Sequence, residues 1–147
     1  MKYTTEIIIK KPIEEVVKGF VNHENMKYWQ PELLSHETIE GRAGEEGAKS
    51  RLKYKMGKRK LEMLETIHKR NLPEAYDTVY EAKGVLNIQY NSFEKLGEEE
   101  TKWISENEFR FKGIMRAMAL FMPGAFRKQS MKYMKQFKAF AENNTKR

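Results

Sequence analysis

One carboxylate in this chain lies where a general base would be useful. Glu65 belongs to the alternating run Leu61, Met63, Glu65 and Ile67, so a strand over these residues places its side chain on an apolar face. A carboxyl group buried among apolar side chains holds its proton more firmly than one in water, which suits acid–base chemistry. Glu65 is the candidate catalytic residue. A local twist that leaves it in solvent is the alternative.

Other catalytic and metal-binding patterns are missing from the sequence. His23, His36 and His68 fall in different predicted elements and show no metal-ligand spacing, so each is expected at the surface or at a strand edge. The chain has no cysteine, which excludes disulfides, thiol catalysis and thiolate metal sites. The glycine-containing turn 41–47 is too acidic to hold a phosphate. We therefore predict no metal and no cofactor.

The elements that must position Glu65 follow from residue periodicity. An opening strand at Thr4–Lys10 precedes an amphipathic helix of about ten residues that starts near Pro12. A short helix at Met26–Trp29, with Asn25 as its cap, stops before Pro31. Strands are predicted at 48–56, 60–68, 76–82, 85–94 and 101–111. Short turns between them indicate antiparallel pairing.

The C-terminal segment is predicted to be a long helix with one break. Apolar residues from Phe126 to Ala141 recur at helical spacing, with lysines on the opposite face. Pro123 and Gly124 interrupt this pattern, so 113–122 should form a separate short element. That element is either a lid over a cavity, with Met115, Met118 and Met122 facing inward, or a fixed kink.

Together these elements predict an α+β chain. A curved antiparallel sheet of about seven strands, with two short helices after the first strand, wraps around the long C-terminal helix. The 147 residues are expected to form one domain, 1–147. No N-terminal run is apolar enough for a signal peptide, and the longest apolar stretch is too short to cross a bilayer. We therefore expect a cytoplasmic protein.

Residues along the whole chain carry a resemblance to a known superfamily. They are Pro12, Val16, Phe20, Met26, Trp29 and Pro31, the Gly41, Gly44 and Gly47 turn, and the terminal run 131–142. This layout resembles the START-like superfamily, also called SRPBCC. The group includes polyketide cyclase/dehydrase-like, lipid-transfer and birch-pollen-allergen-like proteins. The resemblance implies a helix-grip fold with a deep cavity for an apolar or aromatic ligand, and it implies no particular chemistry.

The composition supports such a cavity. Five of the nine methionines lie in the terminal segment, where flexible thioethers suit a wall that adapts to a ligand. Aromatic rings with polar groups are also typical of small-molecule sites. An ordinary packed core is the alternative. The predicted ligand-binding residues are Phe20, Trp29, Leu52, Tyr54, Met63, Tyr80, Tyr90, Trp103, Ser105, Met118, Met122, Phe126 and Met134.

The orientation of the strand 85–94 decides how polar this cavity is. One face carries Asn87, Gln89 and Asn91, and the other carries Leu86, Ile88 and Tyr90. The apolar set is expected to face inward, as in an ordinary core strand. If the amides face inward instead, the ligand must carry polar groups. On the strand 101–111, Ser105 and Asn107 are further candidates for polar groups in the cavity.

The charge of the chain is concentrated in its terminal segment. Residues 112–147 hold nine Lys/Arg and one acid, whereas the preceding residues hold 19 basic and 20 acidic side chains. A solvated helix face is the simplest interpretation. An anionic membrane surface is the second, because apolar residues adjoin the cations. Nucleic acid is the third and is disfavoured, since no recognised motif accompanies the charge.

The predicted function is binding, transport or sensing of a hydrophobic small molecule by a monomer or homodimer, without assured catalysis. A cyclase/dehydratase-type enzyme that acts on a polyketide-like or lipid substrate is the first alternative. A basic interaction module for RNA, the ribosome or an anionic membrane is the second.

Overall fold

Seven strands form one antiparallel sheet in the computed structural model, which describes residues 1–143. Their spatial order is β1-β7-β6-β5-β4-β3-β2. The strands are β1 (Lys2–Ile9), β2 (Leu33–Glu40), β3 (Lys49–Met56), β4 (Arg59–Asn71), β5 (Ala75–Ala82), β6 (Val85–Gly97) and β7 (Glu100–Phe111). Lys146 and Arg147, two of the predicted terminal cations, lie outside the described residues.

Four α-helices complete the described part of the chain: α1 (Ile13–Val21), α2 (Met26–Trp29), α3 (Ile114–Phe121) and α4 (Pro123–Asn143). Pro12 directly precedes α1, as its fixed φ favours. Asn25 occupies the N-cap position of α2 as predicted, but its side chain makes no capping hydrogen bond and donates to the Gly19 carbonyl. A 3₁₀ turn (His23–Asn25) leads into α2, and the Asn22 side chain caps that turn.

The predicted α+β helix-grip architecture is confirmed, with an open curved sheet, a long C-terminal helix and short helices after β1. The sequence predicted about seven strands but gave bounds for only six, and β2 is the strand without predicted bounds. This strand lies at the sheet edge, and its register shifts between Leu33 and Ser35 and between Thr38 and Glu40. Two irregularities in eight residues remove the alternation by which a strand is recognised.

The core joins α1, α4 and the sheet through aromatic rings. The Phe20 ring lies 5.0 Å from the Trp103 ring, 5.2 Å from the Phe93 ring and 5.6 Å from the Phe137 ring. Phe137 is fully buried, and Met134, one turn earlier on α4, is almost so. Edge-to-face contacts of this kind add to the stabilisation from area burial. The apolar stripe predicted on the terminal helix is therefore its inner face.

The predicted break at Pro123 is confirmed. The backbone leaves the helical region at Met122, where φ is −132° and ψ is 59°, and α4 starts at Pro123. The Met122 N–H still donates to the Met118 carbonyl, 2.9 Å away, and closes the last turn of α3. Because Pro123 has no N–H to donate, it interrupts the helix here and begins a new one.

Truncation of Phe137 tests the aromatic core. Phe137→Ala should lower the free energy of unfolding by about 3–5 kcal/mol, since it leaves a cavity among packed rings. The matched variant Phe121→Ala, at a ring that is 85% exposed, should change it by less than about 0.5 kcal/mol. Urea unfolding followed by circular dichroism measures both. Equal losses would contradict this account of the core.

Candidate functional site

A cavity of about 350 Å³ lies between the inner face of the sheet and α4. Every strand except β2 contributes to its wall, together with α1, α2, α3 and α4. The N-terminal half of α4 borders the cavity through Phe126, Gln129, Ser130 and Tyr133. Tyr3 holds this half of α4 to β1, because its hydroxyl donates to the Phe126 carbonyl at 3.0 Å and lies 2.7 Å from Ser130 Oγ.

Nine of the thirteen predicted ligand-binding residues line this cavity. They are Phe20, Trp29, Tyr54, Met63, Tyr80, Trp103, Ser105, Phe126 and Met134. Aromatic and thioether groups make up most of this set, as the composition suggested. Their contact with a ligand stays a prediction.

The other four predicted residues lie elsewhere. Leu52 is fully buried within the packed core and has no surface on the cavity. Tyr90 is 42% exposed because the outer face of β6 carries it. Met118 and Met122 are also exposed.

The prediction that Met118 and Met122 lie on the inner face of α3 is wrong. Met115 lines the cavity and Ala119 is buried, so the inner face of α3 follows an i, i+4 spacing. Met118 and Met122 lie off this face. The phase could not be derived from the sequence, since nearly every residue of this short helix is apolar.

The expected orientation of β6 is also wrong. Asn87 and Asn91 are buried, Gln89 lines the cavity, and the apolar set faces outward. Phe93 explains this orientation of β6. Its side chain lies on the same face as the amides, and its ring stacks on the Trp103 ring with centroids 6.2 Å apart. The Asn91 amide is satisfied within the core: its oxygen accepts from Trp103 Nε1 at 3.0 Å. Burial of a hydrogen-bonded amide costs little.

A line of hydrogen-bonded amides crosses the cavity wall from β6 to β7. Gln89 Nε2 donates to Asn87 Oδ1 at 3.0 Å, and Asn87 Nδ2 donates to Asn107 Oδ1 at 3.3 Å. Asn107 Nδ2 in turn donates to Ser105 Oγ at 3.2 Å. All four residues line the cavity. We call them the amide strip; it places neutral donors and acceptors beside aromatic rings on the same sheet face, because Asn87 pairs with Tyr80 and Phe109 on the neighbouring strands.

Glu65 is buried next to the cavity, which confirms that its side chain faces inward. Tyr80 separates it from the cavity: the Tyr80 hydroxyl donates to Glu65 Oε2 at 2.8 Å. On the other side, His36 Nε2 lies 3.6 Å from Glu65 Oε1. A tyrosine, a carboxylate and an imidazole thus form a continuous buried cluster that ends at the cavity wall. The catalytic role of Glu65 stays a prediction.

Burial raises the pKa values of three tyrosines in this region. Desolvation, followed by the nearby Glu65 carboxylate, raises the pKa of Tyr80 well above its usual value. Burial likewise raises the pKa of Tyr54, whose hydroxyl donates to Gln30 Oε1 at 2.6 Å. The pKa of Tyr76 is raised for the same reasons. These phenols therefore stay neutral at physiological pH, and those of Tyr54 and Tyr80 act as hydrogen-bond donors.

Two histidines meet although the sequence separates them. The rings of His23 and His36 stack with centroids 4.6 Å apart. His36 lies on the edge strand β2, as expected of a strand-edge residue, but its side chain is only 8% exposed. No group of three or more potential metal ligands occurs among residues 1–143.

Sequence reasoning missed several lining residues. Gln129 and Tyr133 follow Phe126 at helical spacing, so the stripe that contained Phe126 could have identified them. Gln30 and Lys83 lie in connections, where periodicity carries no signal. Among the described residues, Lys83 is the one charged residue that lines the cavity.

Comparisons with known proteins identify the fold. No family model and no curated protein sequence matches this chain. Several solved structures do match it. Ara h 8.0201 aligns with a TM-score of 0.76 at 15% identity, over 98% of this chain and 99% of that one. The ZhuI aromatase/cyclase from Streptomyces sp. R1128 aligns with a TM-score of 0.82 at 12% identity, over 99% and 96%.

A third structure was solved with small molecules bound. Norcoclaurine synthase from Thalictrum flavum, in complex with dopamine and hydroxybenzaldehyde, aligns with a TM-score of 0.76 at 11% identity. The alignment covers 100% of this chain and 89% of that one. The chain thus has the START-like helix-grip fold that the sequence resemblance implied. None of its described helices is both long and apolar enough to cross a bilayer.

Alkaline titration tests the burial of the phenols. The raised pKa values mean that unfolded chains release tyrosine protons before folded ones do, so stability is full below pH of about 10 and falls above it. Tyrosinate absorbance from Tyr54, Tyr76 and Tyr80 should therefore appear together with unfolding. Tyr80→Phe should make the fall in stability with pH shallower. Reversible ionisation of all seven tyrosines in the folded protein would contradict this burial.

Proposed function

We propose that this protein binds a small, largely apolar molecule with neutral polar groups in the cavity between the sheet and α4. The observation that carries the proposal is the mixed wall, in which aromatic and thioether side chains adjoin the hydrogen-bonded amide strip. Enclosed apolar walls with a few placed polar groups are typical of small-molecule sites.

The volume limits the size of the ligand. Ligand pockets span about 300–1,000 Å³, so a cavity of about 350 Å³ fits a compact molecule of one or a few rings. Long acyl chains would have to extend through the open end. Two of the similar structures support a ring-bearing ligand, since one is an aromatase/cyclase and the other holds dopamine and hydroxybenzaldehyde.

The polarity of the wall limits the chemistry of the ligand. The amide strip offers donors and acceptors without charge, which suits hydroxyl and carbonyl groups. Lys83 is exposed at the open end, so an acidic group on the ligand would be placed there. A ligand without any polar group would leave unpaired those donors and acceptors of the strip that its internal hydrogen bonds do not use, at a cost of about 1–3 kcal/mol per buried group.

Binding can be measured without knowledge of the natural ligand. The protein should enhance the fluorescence of a hydrophobic dye, and phenolic or polyketide-like aromatics should displace the dye. Native mass spectrometry of freshly purified protein should show a co-purifying adduct of small mass. Failure of both measurements would contradict the proposal.

A cavity-filling variant tests where the ligand binds. Ala82 ends β5 on the inner face and lines the cavity, so Ala82→Trp should occupy part of the space and weaken dye binding about tenfold or more. Ala75, at the start of the same strand, is also half-buried but does not line the cavity. Ala75→Trp is the matched control. Equal binding by the two variants would place the ligand elsewhere.

A second candidate function is acid–base chemistry on the bound molecule. The hydrogen bond from Tyr80 to the buried Glu65 favours it, because Tyr80 also lines the cavity. In a balanced relay, the Tyr80 oxygen takes a proton from the substrate while the phenol proton moves to the Glu65 carboxylate, and the reverse transfer returns a proton to a substrate oxygen. A cyclase or dehydratase acting on a polyketide-like or lipid substrate uses such a proton exchange.

Matched carboxamide variants test this second function. General acid–base catalysis contributes about 10²–10⁴-fold, so Glu65→Gln should lower turnover of carbonyl-bearing aromatic substrates by at least about that lower factor. Dye affinity and thermal stability should change far less. Glu62→Gln, at an exposed carboxylate of the same strand, is the control. Unchanged turnover in Glu65→Gln, or none in the unaltered protein, would exclude the function.

A further inference from the structure

Three large apolar side chains of α3 are almost fully exposed to solvent. Phe121 is 85% exposed, Ile114 79% and Leu120 78%. Met118 and Met122, beside them, are about half exposed. Single exposed apolar residues are common on proteins, but a contiguous group marks a contact surface.

This group lies at the open end of the cavity. The Lys112 N–H donates to the Gly84 carbonyl at 2.9 Å, which ties the start of α3 to the β5–β6 turn. Gly84 has φ of +79°, and Met115 Cγ lies 3.2 Å from where a Cβ would stand, so glycine permits the close approach. Met115 lines the cavity, as do the exposed Met56 and Leu61 of the β3–β4 hairpin.

The β3–β4 hairpin, the β5–β6 turn and the end of β7 all lie at one end of the antiparallel sheet. We call this end, comprising residues 55–61, 82–85 and 109–128, the mouth face. Apolar residues and the cavity opening therefore share one face.

The mouth face is predominantly basic, although Glu62, Glu81 and Glu108 directly flank its three stretches. Its three stretches contain no Asp or Glu. Apart from Arg110, which pairs with Glu108, they hold nine Lys/Arg: four in 55–61, one in 82–85 and four in 109–128. All nine are exposed, and none forms a salt bridge with a carboxylate of the described residues. Cations without partners that surround apolar side chains fit an anionic surface with an apolar interior.

The opposite end of the sheet carries acidic connections. Glu45 and Glu46 lie between β2 and β3, Glu74 lies between β4 and β5, and Glu98 and Glu99 lie between β6 and β7. Lys10, Lys11 and Arg42 also lie at that end, so its charge is mixed, and an anionic surface would attract the mouth face more strongly. The charge distribution orients the molecule before contact.

We propose that the mouth face docks on the surface of an anionic lipid bilayer, with Ile114, Leu120 and Phe121 inserted among the headgroups. Lys and Arg side chains around them contact lipid phosphates. The cavity then opens toward the bilayer, so an apolar ligand passes between lipid and protein without crossing water. This last step rests on the proposed ligand binding, whereas the docking itself does not.

Other occupants fit the mouth face less well. A second copy docked symmetrically would bring the unpaired cations of two chains together, which is unfavourable. RNA would use the cations but would leave three apolar side chains without partners. A bilayer satisfies both features of the surface.

Flotation with ligand-free vesicles tests the docking. The protein should float with vesicles made of equal parts phosphatidylcholine and phosphatidylglycerol, and much less with phosphatidylcholine alone. The double variant Leu120→Ser/Phe121→Ser should bind at least about tenfold more weakly because the inserted groups are lost. Circular dichroism checks its fold, which exposed positions should leave intact.

Charge-reversal variants distinguish docking through the mouth face from nonspecific electrostatic attraction of the whole protein to the vesicle. Arg127→Glu/Lys128→Glu should weaken binding to the anionic vesicles more than about tenfold. The control Lys18→Glu/Lys69→Glu makes the same change in net charge at exposed residues away from the mouth face, and it should bind nearly as the unaltered protein does. Equal losses in the two variants would overturn the proposal.

The remaining outcomes are also decisive. Equal binding to neutral and anionic vesicles would overturn docking by charge. A dimer in sedimentation that Leu120→Ser/Phe121→Ser converts to a monomer would assign the surface to a second copy, and tight RNA binding that the same variant leaves unchanged would assign it to RNA. Dye binding measured without vesicles reports on the cavity alone, so the two proposals can fail independently.

Discussion

The packing of α4 against the inner face of the sheet determines both the stability and the site of this protein. Phe137 is buried against Phe20 and the sheet, so the C-terminal half of α4 fills its share of the core. The N-terminal half, held by Tyr3, borders the cavity instead. Since one rigid helix belongs to both regions, the core positions the wall of the site.

Polar groups inside this core make the cavity selective. Buried amides and a buried carboxylate are unfavourable unless each is hydrogen-bonded. Here Asn87, Asn107 and Ser105 satisfy one another, and Tyr80 satisfies Glu65. Groups arranged in this way are fixed in direction, because rotation of one breaks the bonds of its neighbours. Most of the cavity wall is thus apolar, with polar groups at fixed positions. The outer surface beside the cavity carries both apolar and basic side chains.

The accuracy of the predicted residue positions depends on how strongly each segment alternates between apolar and polar residues. On β3, β4 and β7 the alternation of apolar and polar residues was strong, and Tyr54, Met63, Trp103 and Ser105 lie at the cavity as expected. On β6 both faces carried plausible inward residues, and the apolar face was chosen wrongly for Tyr90. In α3 almost every residue is apolar, so Met118 and Met122 were placed on the wrong side.

By itself, the sequence determined the order of elements, the antiparallel pairing, the break at Pro123 and the inner face of α4, because each depends on local periodicity or on the geometry of proline. Only the tertiary structure decided which face of β6 is buried, since the stacking of Phe93 on Trp103 outweighs the local pattern. It also brought Glu65, Tyr80 and His36 together and placed α3 at the open end of the cavity. Contacts between residues distant in the chain depend on packing, and periodicity along one segment carries no information about them.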